Sequence, residues 1–518
     1  MRDQSHRMRL LGHAAELARL LLKSAQAPRQ LVSIELHRHK RLTSADRRFV
    51  SATAHHALRT WRFARACATG IETDVPLHAR DVECRMVLAA SVLLALDGLL
   101  DANGLLDANG LLEVDGLLDA DGLLEGMVPD ATDRAYPVRE TPAAPASTML
   151  ETAAAELLRE AGGSVEDCRR RGRTFDTAFQ DMLLDLSDSP DASEHELRVR
   201  HRIGLRWSLP DWVVAAWRAQ DPPLSVPHIA RIGKTLATPA PLTLRVNRIR
   251  TSRDGLLAHF ADAGIPARAH PLLPNAIVVT ERSALLESVW YRDGLFEVQD
   301  AGSQLIGLAA GARAGMRVCD ACAGGGGKTM QMADAMRGTG SITACDIERA
   351  KLRGLEQRVR RLGIGDIETR LLDATVDDAW NSSSKAMERY DVVLVDAPCS
   401  GFGTVRRNPA LKWRLTEKTV HRLAARQAAI LARNAEAVRP GGTLLYATCS
   451  LLPSENAIVV GRFLQENPRF HPEPLAPPLA AAGIETSFLT EDAHALLLAP
   501  DLFDSDGFFM ARMRAAMA

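Results

Sequence analysis

At 518 residues with 46% hydrophobic content the chain can bury several cores, and a formal net charge of -1 excludes a uniformly basic nucleic-acid binder. Eight cysteines are too sparse for a disulfide scaffold and read as reduced thiols. Glu16 and Arg19 interrupt the amino-terminal apolar residues, unlike a secretory signal, and the longest uncharged apolar run, 86–96, is too short for a bilayer; a cytoplasmic protein with no membrane partner is expected.

The neutral sum hides an asymmetry. Residues 1–80 hold 15 Lys and Arg against 6 Asp and Glu, whereas 97–125 hold 8 acids and no base. Apolar residues recur at helical spacing over about 9–95 (Leu10, Leu17, Leu20, Leu21, then Phe49, Val50, Ala57, Leu58, Trp61), with breaks near Pro28 and Thr43. The expectation is a helical bundle whose basic faces are candidates for RNA contact, although a charged helix face is more often simply solvated.

From 99 to 125 the chain repeats a hexapeptide of the form Leu-Leu-Asp-Ala-Asn-Gly. Placing Gly104 at position 6 of an EF-hand loop puts Leu99 at position 1, where an oxygen ligand is required, so calcium is not expected. With the Pro-rich stretch 129–145 it reads as an insertion and linker. Helical patterning resumes over 147–186 and is followed by a Trp-rich stretch holding Trp207, Trp212 and Trp217. Strand-like 242–247, helix-like 254–263 and strand-like 275–280 then suggest a small α+β module.

From 316 onward, near-continuous apolar strands (317–322, 341–346, 367–373, 390–396, 442–448) alternate with helices. That pattern predicts a doubly wound, mostly parallel sheet with its ligands at the strands' carboxyl ends. The first of these strands runs into Asp-Ala-Cys-Ala-Gly-Gly-Gly-Gly-Lys-Thr at 320–329. Glycines let backbone amides approach either a phosphate or the methionine half of S-adenosylmethionine. A P-loop fails because Cys322 stands where it needs glycine, and a dinucleotide loop fails at Met330. Asp346, Asp373 and Asp396 end successive strands; Asp346 is placed for ribose hydroxyls and Asp373 for an adenine amino group. Any one such Asp could instead cap a helix, but three in register behind a glycine loop favour a cofactor. Cys319 and Cys322 form a lone CxxC, and with no second pair no metal is expected.

Cys399 follows the fourth strand in Asp-Ala-Pro-Cys-Ser, and Cys449 follows the fifth in Ala-Thr-Cys-Ser. Neighbouring strands would bring both thiols to the cofactor crevice. Carbon 5 of cytosine is too poor a nucleophile to take a methyl group unaided, and a thiolate adding to carbon 6 activates it. Asp396 is placed to assist at the ring nitrogen. A thiol of ordinary pKa needs a cationic neighbourhood for this work, and Arg406, Arg407 and Lys412 are placed to supply it and to hold RNA phosphates. The chemistry alone does not choose between the two cysteines.

The motifs over about 300–510 resemble the RsmB-type (Sun-family) RNA cytosine-C5 methyltransferases: Gln-Asp-Ala-Gly-Ser-Gln at 299–304, the glycine loop, Asp-Ala-Pro-Cys at 396–399, Arg-Arg-Asn-Pro-Ala-Leu-Lys-Trp at 406–413, the stretch 447–456 and Asp-Gly-Phe-Phe at 506–509. The resemblance implies a Rossmann-like class I methyltransferase domain (α/β) using S-adenosylmethionine, with Cys449 as nucleophile, Cys399 in product release, Asp396 positioning the base and Lys412 supporting. Cofactor contacts are implied for Cys322, Ala323, Gly324, Gly325, Gly326, Gly327, Lys328, Asp346, Asp373 and Asp396, and RNA contacts for Arg406, Arg407 and Lys412. Gly325 departs from the proline usual in the family, which loosens the loop. The stretch 42–50 resembles a NusB-type helical RNA-binding domain. The expected organisation is therefore a NusB-like helical domain (1–96), an acidic repeat and Pro-rich insertion (97–146), a helical continuation and connector (147–234), an α+β module (235–310) and the catalytic domain (311–518). The expected function is cytosine-C5 methylation of small-subunit (16S) rRNA by a monomer. A tRNA methyltransferase of the same chemistry is the alternative. A non-catalytic assembly factor would have no chemical need for both cysteines.

Overall fold

The computed structural model describes residues 2–23, 28–39, 42–69, 81–96, 145–184, 192–279, 285–365, 367–373, 375 and 389–517. The hexapeptide repeat and most of the Pro-rich stretch lie outside the described residues. The chain forms two compact units that divide at Pro210 and Asp211, inside the stretch 147–234 expected as a helical continuation and connector.

The first unit is helical, with Arg2–Lys23, Pro28–Arg38, Ser44–Arg59, Trp61–Thr69, Asp81–Leu96, Pro145–Glu160, Val165–Leu184 and Ala192–Arg206. The break at Thr43 is a capping box: Thr43 Oγ1 accepts from the Asp46 amide at 3.1 Å while the Thr43 amide donates to Asp46 Oδ2 at 2.9 Å. Asp81–Leu96 is the central helix, with Val87, Leu88, Val92, Leu93 and Leu94 fully buried. Several bases that give this region its charge turn inward. Arg7, Arg59, Arg62 and Arg65 are buried, and Arg62 Nη1 donates to the Leu209 carbonyl at 2.9 Å. Their charge is thus part of the bundle's interior, a departure from the basic faces expected there.

The second unit opens with helices Asp211–Ala219 and Val226–Leu236 and continues into a four-stranded antiparallel sheet of β1 (Leu242–Val246), β2 (Ala267–Ala269), β3 (Ala276–Val279) and β4 (Phe296–Val298), in the order β2-β3-β1-β4. The larger sheet has eight strands: β5 (Arg317–Asp320), β6 (Ser341–Asp346), β7 (Ile367–Leu371), β8 (Tyr390–Asp396), β9 (Val438–Thr448), β10 (Phe470–Pro472), β11 (Ala495–Leu498) and β12 (Phe508–Ala515). Its order is β10-β12-β9-β8-β5-β6-β7, with β11 also on β12. Strands β5 to β9 are parallel, and β12 adds antiparallel to β9. The chain runs outward from β5 through β6 to β7 and then returns to β8 on the other side of β5, so the crevice of this doubly wound sheet opens between the carboxyl ends of β5 and β8. Both sheet faces are covered, which is why the centre of β8, Val392 to Val395, reads as a continuous apolar run.

Arg406 and Arg407, expected to meet RNA phosphates, are committed within this unit. Arg407 Nε donates to Asp506 Oδ2 at 2.6 Å and Nη2 to Asp300 Oδ2 at 2.8 Å. Arg406 donates to the Pro239 carbonyl at 2.7 Å, the Ser505 carbonyl at 3.0 Å and Asp504 Oδ1 at 3.0 Å. Lys412 is fully buried, its ammonium 5.1 Å from the Trp413 ring. The cluster that reads as surface charge in the sequence is a set of internal ties, because Asp300, Asp504 and Asp506, distant in sequence, take up the charge. Burial, with Asp300 next, pushes the Asp506 carboxyl up to about 6. Its folded pKa thus exceeds the unfolded value of about 3.9, so the folded state binds the extra proton and gains stability as pH falls. Arg407→Leu strips both acids of their partner and is expected to cost about 3 kcal/mol or more at pH 8. Urea denaturation at pH 8 and pH 5.5 should show that deficit shrinking in acid; a variant as stable as wild type at pH 8 contradicts the assignment.

Candidate active site

The carboxyl ends of β8 and β9 place the two motif cysteines side by side, with Cys399 Sγ and Cys449 Sγ 3.3 Å apart. The hydrogen bond to Cys449 and then burial push the Cys399 thiol well above its usual range. Either sulfur can donate across this contact. Beside them Lys328 Nζ donates to Asp396 Oδ2 at 2.7 Å. Burial opposes the Lys328 charge, but Asp396 above all, with Asp320 and Cys449 adding, raises its pKa, so the site holds a fixed ammonium.

Buried polar groups hold the thiols in register. Glu455, fully buried, joins the two cysteine loops: Oε1 accepts from the Ser400 amide at 2.8 Å and Gln427 Nε2 at 2.9 Å, while Oε2 accepts from Ser400 Oγ at 2.5 Å and Ser450 Oγ at 2.6 Å. Asn456 extends the clip, donating to the Ser450 carbonyl at 2.9 Å. Gly403 brings a third loop into contact, its amide donating to the Cys449 carbonyl at 2.9 Å; a Cβ there would lie 1.8 Å from the Gly507 carbonyl oxygen. Trp217 Nε1 donates to the Leu451 carbonyl at 2.8 Å, so the Trp-rich helix buttresses the same loop.

The glycine loop stands next to these groups. Gly324 and Gly326 are left-handed, with φ of 56° and 81°, which glycine adopts without penalty. Asp346 Oδ2 accepts from the Gly324 amide at 2.9 Å and Oδ1 from the Glu348 amide at 2.8 Å, leaving a lone pair on each oxygen. Asp373 stands beyond the carboxyl end of β7, held below the usual carboxylate range by hydrogen bonds from Thr375. Thus Cys399, Cys449, Asp396 and Lys328 meet, with the loop and Asp346 adjoining, whereas Arg406, Arg407 and Lys412 serve the interior.

Sequence reasoning gave no role to Glu455, Gln427, Ser400, Ser450 or Asp320. A charged residue five positions after Ser450 in an apolar stretch was the available signal for Glu455, but its partners are non-local. Asp320 Oδ2 accepts from Thr329 Oγ1 at 2.7 Å, and Oδ1 is buried with no hydrogen-bond partner among the described residues. Burial raises the Asp320 carboxyl to about 7.

Glu455→Gln turns one acceptor oxygen into a donor facing groups that already donate. It is expected to lower the unfolding free energy by about 1–3 kcal/mol and to reduce turnover more than cofactor affinity, read by denaturation, methylation kinetics and calorimetry. Unchanged turnover would show that the clip does not set the thiols' positions.

A family model described as 16S rRNA methyltransferase RsmB/F matches residues 310–514, and one for an RsmF/B-like ferredoxin-like domain matches 209–285. A probable ribosomal RNA small subunit methyltransferase B of Bacillus subtilis is 32% identical over 324 residues, 62% of this chain and 69% of that protein. Ribosomal RNA small subunit methyltransferase B of Salmonella arizonae is 33% identical over 276 residues, covering 53% of this chain and 59% of the relative. A methyltransferase homolog protein from Pyrococcus horikoshii shares the fold at a TM-score of 0.51 and 26% identity, covering 63% of this chain and 100% of that one. The methyl donor of such enzymes is S-adenosylmethionine. The site fits it: the orphaned Asp320 oxygen suits an ammonium, the open space about Gly324 suits close approach, and Asp346 and Asp373 suit hydroxyl and amino donors. The chain belongs to the RsmB/F family of rRNA methyltransferases.

Proposed function

We propose that this chain methylates carbon 5 of a cytosine in 16S rRNA, with Cys449 as the attacking thiol. The observation that carries the reading is the thiol pair at 3.3 Å beside the Lys328 and Asp396 ion pair, and the choice of Cys449 within the pair follows the family's Thr-Cys-Ser motif. The similarity to small-subunit rRNA methyltransferases of Bacillus and Salmonella supplies the RNA class.

Bound S-adenosylmethionine supplies an electrophilic methyl group. Cys449 Sγ, as thiolate, bonds to carbon 6 of the cytosine, and the displaced electron pair makes carbon 5 nucleophilic. The Lys328 ammonium stabilises the thiolate before attack and donates to the ring nitrogen where negative charge develops, while Asp396 holds the ammonium in place and positions the base by accepting from its amino group. Once carbon 5 is methylated, its proton leaves to water, the carbon 5–carbon 6 double bond re-forms, and the sulfur of Cys449 departs with its electrons. Cys399, with its sulfur 3.3 Å from that of Cys449, is placed to donate its S–H to the departing thiolate. Asp320 would hold the cofactor's ammonium, Asp346 its ribose hydroxyls and Asp373 its adenine amino group.

Methylation of 16S rRNA with labelled cofactor, followed by bisulfite mapping, tests the reaction; label in tRNA alone overturns the substrate. In the same assay Cys449→Ala is expected to reduce turnover to background, whereas Cys399→Ala accumulates a protein–RNA adduct that survives denaturing electrophoresis. Turnover by Cys449→Ala would reject the assignment.

The Asp320 contact predicts a pH dependence. A protonated Asp320 cannot pair with an ammonium, so cofactor affinity should rise as pH increases through about 7 and fall again above about 8, where the cofactor's α-amino group loses its proton. Calorimetry from pH 6 to 7.5 should show several-fold tightening, bounded by tenfold per pH unit for one proton. Asp320→Asn should flatten the rise, and an equally steep rise in that variant would contradict the contact.

A further inference from the structure

Four consecutive glycines are a poor way to hold a binding loop, since each has more backbone freedom to lose than any other residue and no side chain to pack. Three backbone amides are tied, from Ala323 to the Cys345 carbonyl at 2.8 Å, from Gly324 to Asp346 Oδ2 at 2.9 Å and from Gly326 to the Ala323 carbonyl at 2.8 Å. The Gly325 carbonyl is held from outside, by Arg358 Nη1 on helix Arg349–Leu362. The rest of the same guanidinium is fixed on Glu297 of β4, Nε donating to Oε2 at 3.1 Å and Nη2 to the same oxygen. Glu297 is 2% exposed and also pairs with Arg361, whose guanidinium lies 3.9 Å over the Tyr291 ring. A planar guanidinium held at three of its nitrogens has little freedom to lose.

We infer that Arg358 is the positioning residue that holds the glycine loop in its cofactor-binding shape, and that Glu297 of the small sheet holds Arg358 in turn. Gly325 suits this arrangement. A Cβ at that position would lie 2.8 Å from Arg358 Nη1, so any larger residue displaces the guanidinium. Gly325, unlike Gly324 and Gly326, is outside the left-handed region that proline cannot enter. The chain thus obtains from a side chain what a proline at 325 would supply from its own ring. The small sheet is thereby connected to the cofactor loop through one residue. The inference rests on the reading of this loop as the cofactor site.

The test uses the full-length protein, with S-adenosylhomocysteine as the probe. In Arg358→Ala, hydrogen exchange of the loop amides at 321–329 in the ligand-free protein should accelerate, the dissociation constant should weaken about tenfold or more, and KM for the methyl donor should rise with kcat at saturation retained. Glu297→Gln should move all three in the same direction by less. Gly325→Pro should weaken binding in the wild-type background, where it meets Arg358, and restore part of the lost affinity in Arg358→Ala. Loop exchange and probe affinity unchanged in Arg358→Ala would overturn the inference, even if the variant melts at a lower temperature. Failure of the wild-type protein to bind the probe would instead overturn the cofactor assignment, while loop exchange still reads the Arg358 tie.

Discussion

The chemistry depends on one buried carboxylate. Glu455 accepts four hydrogen bonds from two cysteine-bearing loops and the helix behind them, and thereby fixes the separation of Cys399 and Cys449. Neither loop has regular secondary structure across its cysteine, so strand pairing ends where precision is most needed. A charged acceptor can engage several donors at once, and in a dry site each such bond is stronger than its counterpart in water. The cost of burying the carboxylate is offset only while all four donors remain in place, which makes the arrangement cooperative.

The same logic recurs around the crevice. Asp300 caps the helix Ala301–Ala309 and receives Arg407 from the loop after β8. Gln299 accepts from Arg245 of β1 at 2.7 Å and donates to Gln331 of the helix after the glycine loop at 2.9 Å. Polar ties therefore run from the four-stranded sheet to both the cofactor loop and the cysteine loops. A site assembled from strand ends gains rigidity from such second contacts, because the reacting groups are held from more than one side.

Much of this was legible in the sequence. Alternating apolar strands and helices gave the doubly wound sheet, and strand ends placed Asp346, Asp396, Cys399 and Cys449 at one edge of it. The glycine loop was recognisable by composition. What was not legible shares one cause: partners far apart in sequence. Arg406 and Arg407 read as a surface cluster because nothing local shows that Asp504 and Asp506 reach them. Arg62 reads as part of a basic face although it donates to the Leu209 carbonyl across 147 positions. The antiparallel β12 was hidden because Phe508 and Phe509 carry a motif without announcing a strand. The choice between the two thiols also lay beyond local pattern, since both follow strand ends in similar turns and only the resemblance to the family's Thr-Cys-Ser motif separates them.

That choice is the central claim, and 16S rRNA carrying 5-fluorocytosine at the mapped site tests it most directly. Fluorine at carbon 5 cannot leave as a proton, so the adduct freezes after methyl transfer, and peptide mass spectrometry identifies the cysteine that carries the base. The account predicts the crosslink on the peptide holding Cys449, with Cys399 unmodified. A crosslink on Cys399 would contradict it.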